Sequence, residues 1–133
     1  VYDIPVLDGQ IDIPMLVQTI ATLCHTYPGF TAVIENVHSL PRQAGAFNFG
    51  LGAGILRGVL VSHSIDFSLV APSVWKPRMG LQRWADETPE ANKSRARMLA
   101  SQLFPHLDPR LKRVKDDGRA EALLMALYWS SRR

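Results

Sequence analysis

Along the 133 residues the spacing of apolar positions switches repeatedly between strand-like and helix-like, and each switch predicts an element. Residues 2–7 are apolar and compatible with a short strand; Pro5 suggests an edge or a strand end, and Asp8-Gly9 is a turn signal. From Ile13, apolar Leu16, Val17, Ile20, Leu23 and Cys24 recur at helical spacing, with Asp12 as N-cap and Pro14 early, where it is tolerated. That helix runs to about Tyr27 and stops at Pro28-Gly29. Residues 30–34 form an apolar run rich in β-branched side chains, as in a strand buried on both faces of a parallel sheet, and it ends in Glu35. Residues 36–43 carry Pro41 and polar side chains and read as a loop.

A long helix is predicted over 44–64, where Gly45, Gly50, Gly52, Gly54 and Gly58 would let a neighbouring backbone come close, so the helix is expected to pack tightly, across a dimer interface for example. Residues 67–71 are another buried strand, closed by Pro72, and 73–79 a short helical turn. Residues 82–92 read as a polar, exposed excursion containing Pro89. Helical spacing returns over 91–104 in Ala96, Leu99, Ala100 and Leu103, and Pro105 ends it. After a basic loop over 106–115, a last helix starts at Asp116 or Asp117 and carries Ala120, Leu123, Leu124, Leu127 and Tyr128. This order of strands and helices is α/β, and it predicts one domain over 1–133 with a narrow sheet, partly parallel, between helices.

Composition narrows the class. A hydrophobic content of 47% excludes a disordered tail, and no apolar run approaches the roughly 18 residues of a membrane span. Cys24 is the only cysteine and lies on the apolar face of the first helix, so an intramolecular disulfide and a Cys-rich zinc site are excluded and a reducing, cytoplasmic setting is expected. The sequence starts Val1-Tyr2-Asp3-Ile4-Pro5, without Met or a secretory signal, as a chain beginning inside a longer gene product would. Charge is uneven: residues 1–66 hold two Lys/Arg against five Asp/Glu, whereas 67–133 hold thirteen against seven. A basic half with a few placed carboxylates suits a polyanionic partner, although solvated helix surfaces produce the same count.

Candidate chemistry begins with Glu35, because the carboxyl edge of a sheet is where open α/β folds place ligands; a polar residue that merely ends a strand is the alternative. Asp117 and Glu121 share one helical face, with Asp116 beside them, either as hard oxygen ligands for Mg²⁺ or Mn²⁺ or as an N-cap with a first-turn acid. Such ligand sets support phosphodiester cleavage. Lys76, after a strand end, and Lys93, at a helix start, could meet a phosphate or be plain surface lysines. His25, His38, His63 and His106 show no HxxxH or HxH pairing of a zinc site, and neither a Gly-x-Ser-x-Gly elbow nor a P-loop is present. Trp75, Trp84 and Trp129 read as packing residues rather than base-stacking platforms.

Three stretches occur together: Ala32-Val33-Ile34-Glu35-Asn36-Val37-His38, Val70-Ala71-Pro72-Ser73-Val74-Trp75-Lys76, and Lys115-Asp116-Asp117-Gly118-Arg119-Ala120-Glu121-Ala122-Leu123-Leu124. With Asn92-Lys93-Ser94-Arg95-Ala96-Arg97 and Leu103-Phe104-Pro105, the chain from about Tyr2 to Tyr128 resembles the RuvC-like Holliday junction resolvases, especially the compact phage and bacterial members. The resemblance implies a ribonuclease H-like fold with a mixed sheet flanked by helices, a homodimer, and Mg²⁺-dependent paired nicking of four-way DNA junctions. It implies that Glu35 binds metal with Asp117 and Glu121, Asp116 being nearby, and that Lys76 and Lys93 approach the phosphates. It sets His38 toward the junction centre, with Arg42 and Arg95 completing the DNA-contacting residues.

Two departures stand out. The family's first strand bears an Asp followed by a Pro-Gly-like turn, and no such strand precedes Val1, so the N-terminal strands and one core metal ligand are expected to be missing and the fragment to be inactive without them. The family's last helix carries acids three apart, and Gly118 stands at that position here, with Asp117 one residue before it. The alternatives are a non-cleaving junction or single-strand DNA-binding module on the same fold, and a nuclease for flaps or RNA–DNA hybrids.

Overall fold

Asp8 and Gly9 both have positive φ (49° and 76°), which lets two residues reverse the chain with the twist that strands require. In the computed structural model, which describes residues 1–36 and 45–132, this turn joins β1 (Val6–Leu7) to β2 (Gln10–Ile11) as an antiparallel pair, Val6 opposite Ile11 and Leu7 opposite Gln10. The predicted strand over 2–7 therefore shrinks to its end and gains a return strand. The Asp-Gly pair was the sequence signal for that hairpin.

The chain divides into two compact units, Asp3–Leu69 and Val1–Tyr2 with Val70–Arg133. In the first, Asp12 caps α1 (Ile13–Thr26): its Oδ1 accepts the Met15 N–H at 3.0 Å, and Pro14 lies in the opening turn. Leu16 and Ile20 of α1 join Val59 and Leu60 of α2 (Ala46–Ser62) and Ile65 in a core, with Leu23, Cys24, Phe30 and Ile34 packed around it. β3 (Ala32–Glu35) pairs with β4 (Phe67–Val70) in a separate two-stranded sheet.

That topology corrects the expected three-stranded sheet. The first strand pairs within its own hairpin instead of joining β3 and β4. All four residues of β3 are half-buried, not sealed on both faces, because a two-stranded sheet covers little of each strand. The glycines of α2 also differ from expectation. A Cβ on Gly52 would lie 3.3 Å from Ile11 Cδ1, whereas Gly50, Gly54 and Gly58 have open space beside them among the described residues. The loop expected over 36–43 lies, from residue 37 on, outside the described residues.

The second unit is helical: α3 (Pro72–Arg78), α4 (Pro89–Leu103) and α5 (Asp117–Ser130), with 3₁₀ turns at Pro105–Arg110 and Val114–Asp116 where a basic loop was expected. Pro89 opens α4 instead of marking an excursion: Thr88 accepts the Ala91 N–H at 3.2 Å, and a proline in the first turn forgoes only an N–H that no helical carbonyl would receive. The unit's buried side chains include Trp75, Leu81, Ala96, Ala100, Leu111, Ala120 and Leu124. Alanines on α4 and α5 let those two helices pack closely, and α3 packs on α5 as well. No helix among the described residues is long and apolar enough to cross a membrane.

Candidate functional site

Three helices bring two acids and two lysines together. Asp117 and Glu121 stand one turn apart on α5, so their side chains share a face. Lys76 of α3 donates to Glu121 Oε1 at 2.7 Å, and Lys93 of α4 lies 2.8 Å from Asp117 Oδ2. Like charges at this spacing on an exposed helix repel, and here each carboxylate meets its own ammonium.

The two pairs share one electrostatic field. The hydrogen bond from Lys93 holds the Asp117 carboxyl below its ordinary pKa against the cost of desolvation, helped by the Gly118 N–H and by the charges of Lys93 and Arg97. Lys93 is raised chiefly by its hydrogen bond to Asp117 and by that residue's charge, with Glu121 and Glu90 adding to it. The Lys76 ammonium also sits 5.4 Å from the ring of buried Trp75. About a quarter of the Lys76, Glu121 and Asp117 side chains remains exposed, and over half of that of Lys93, so the pairs stay within reach of solvent and of a ligand.

Asp116 is used differently. Its side chain is 1% exposed, and its oxygens accept from the Arg113 backbone N–H at 3.0 Å and from Arg113 Nη2 at 2.9 Å, with Arg119 3.4 Å away. The Arg113 hydrogen bonds hold its carboxyl below the usual range. The residue closes the turn ahead of α5 and so sets where Asp117 begins the helix. Its oxygens are engaged inside the protein, whereas at Asp117 Oδ2 meets Lys93 near the surface and Oδ1 accepts the Gly118 N–H at 2.9 Å.

Arg95 also points inward. Its Nε and Nη2 donate to the two Glu87 oxygens at 2.9 and 2.8 Å, Nη2 donates to the Gln82 carbonyl at 2.8 Å, and Nη1 donates to the Gly80 carbonyl. Its nitrogens hold the 80–88 loop, where sequence reasoning set them against DNA. That reasoning missed Glu87 and Arg113, and the Thr88-Pro89 helix start was the sequence signal closest to the first of them.

Glu35 ends β3 in the other unit and is half-buried. His38 and Arg42 lie outside the described residues. Among the described residues no three His, Cys, Asp or Glu side chains gather as a metal-holding group. Asp117 and Glu121, one turn apart on α5, are two carboxylates, and each is paired with a lysine.

No protein-family model and no curated protein matches the chain. The chemistry of the site therefore rests on its own residues. Those residues place two carboxylates and two ammonium groups side by side at a partly exposed surface, each carboxylate neutralised by one lysine.

Proposed function

We propose that the chain belongs to a Mg²⁺-dependent, structure-selective endonuclease that resolves four-way DNA junctions by paired nicks, with a ribonuclease H-like fold. The observation that carries this reading is the joint pairing of Lys76 with Glu121 and Lys93 with Asp117 across α3, α4 and α5. The same four residues carry the sequence resemblance, in three separate stretches.

Asp117 and Glu121 would hold Mg²⁺, and the resemblance adds Glu35 to that set. The ion when bound supplies activation of water and stabilisation of the leaving oxygen. Lys76 and Lys93 orient the scissile phosphate and offset the charge that grows on it. Two nicks placed symmetrically on a junction require two such sites, so the functional unit is a homodimer.

The test is cleavage of a synthetic four-way junction with Mg²⁺ by the full-length protein. Cutting by the parent and loss of cutting with retained junction binding in Glu121→Gln and Glu35→Gln supports the reading; equal cutting by the variants overturns it. One observation favours the non-cleaving alternative, a junction or single-strand binding module: each carboxylate already holds a lysine. Such a module binds junctions with no Mg²⁺-linked change at Asp117. Flap and RNA–DNA hybrid substrates, run beside the junction, separate the remaining nuclease alternative.

A further inference from the structure

Trp84 is 59% exposed, although the 80–88 loop that carries it is held on several sides. The Arg95 guanidinium lies 4.2 Å from the ring centroid and covers one face. Arg95 is itself held by Glu87 and by the Gly80 and Gln82 carbonyls, and Asn92 Nδ2 donates to Glu87 Oε2 at 3.0 Å and to the Leu81 carbonyl at 3.2 Å. The Trp84 N–H reaches Glu87 Oε2 at 3.3 Å, and the Trp84 carbonyl accepts the Glu87 N–H at 3.1 Å. The ring is thus backed by a fixed cation on one face and held in place by its loop, and its exposed remainder leaves a flat aromatic surface accessible to a ligand.

We propose that Trp84 is a stacking platform for an unpaired nucleobase, with Arg95 as its positioning residue. The choice of ligand class rests on the DNA reading above. The surroundings favour a base over a protein partner. Gln82, Arg83, Ala85 and Asp86, which flank Trp84 in the loop, are all exposed and mostly polar, unlike the apolar centre of a protein interface. The unit around it carries thirteen Lys/Arg against seven Asp/Glu, which draws a polyanion. A guanidinium behind the indole completes a cation, ring and base stack, and such platforms tolerate any base because each has a π-face. A four-way junction whose bases unstack at the crossover supplies them.

Binding of a labelled oligo(dT) and of an abasic oligonucleotide of equal length, followed by anisotropy without Mg²⁺, separates base from backbone. The wild type should bind oligo(dT) about 5- to 150-fold more tightly than the abasic strand. Trp84→Phe should keep most of that preference. Trp84→Leu, which still covers Arg95 but offers no π-face, should lose it, with circular dichroism showing that the variant is folded. Absence of preference in the wild type, or its survival in Trp84→Leu, overturns the proposal. So does self-association that depends on Trp84 with equal binding of both strands, which would assign the ring to a protein contact. Junction cleavage measured in parallel keeps the two readings apart: cleavage without base preference removes only the platform, and base preference without cleavage supports the platform while removing the nuclease.

Discussion

Lys93 Nζ lies 2.8 Å from Asp117 Oδ2, the oxygen that a divalent cation would need. On the proposed reading, lysine and Mg²⁺ would compete for one atom. Lys93→Ala should tighten Mg²⁺ binding severalfold, read by calorimetry, while it lowers any cleavage that needs a cation on the phosphate. Unchanged Mg²⁺ affinity in this variant would remove Asp117 from the metal set.

The same contact gives a pH dependence with a definite sign. Asp117 titrates below its ordinary value of 3.8, so its contribution to stability is present above that value and is lost as pH falls through the depressed pKa. Lys93 titrates above 10.5, so its contribution is complete below that value and is lost as pH rises through the raised pKa. Urea midpoints of the wild type and Asp117→Asn should converge at both extremes and differ most between them. With the pair a quarter to a half exposed, the largest difference should be about 1 kcal/mol or less.

Glu87 is held at about 2, from an ordinary 4.5, chiefly by the hydrogen bonds from Arg95. The loop clamp should accordingly persist at pH 4.5 and loosen only as pH falls toward about 2. Nuclear magnetic resonance of the Trp84 indole N–H follows this directly. In Glu87→Gln the depressed titration should be absent and the Trp84 signal broadened already at neutral pH.

Asp116 and Asp117 are neighbours with opposite consequences. Asp116→Ala removes a buried carboxylate that accepts from the Arg113 backbone and side chain and should lower the urea midpoint clearly, leaving Mg²⁺ affinity little changed. Asp117→Ala should do the reverse. As a reference for core packing, Leu124→Ala, at a fully buried position on α5, should cost about 2 to 5 kcal/mol.

Gly118 lies in the first turn of α5 with nothing within 4 Å of an added Cβ among the described residues. Gly118→Ala should stabilise the protein by about 0.5 to 1 kcal/mol, because the helix then gives up less backbone freedom on folding. Thermal melts check the sign. A loss of stability would mean that the turn at Asp117 needs glycine.

Local pattern was enough for several elements. Asp12 before an apolar helical stripe, the β-branched run around Val33 and the acidic start of α5 all emerge where neighbouring residues predict them, since caps and side-chain periodicity act within a few residues. Other features depended on partners far along the chain. The strand beginning at Val6 pairs in its own hairpin and not with β3, and a two-residue strand is too short to declare its partner. Trp84 and Trp75 look alike in sequence, yet one is 59% exposed and the other fully buried.

The sequence by itself determined which residues carry charge, which helix faces are apolar, and that Asp117 and Glu121 point the same way from α5. Only the tertiary structure decided that Lys76 meets Glu121 across 45 residues, that Asp116 is turned inward to Arg113, and that Arg95 serves a loop. Spacing along a helix is dictated by its 3.6-residue period, whereas an ion pair between helices depends on how their buried faces dock, and that is settled by the packing of the whole unit.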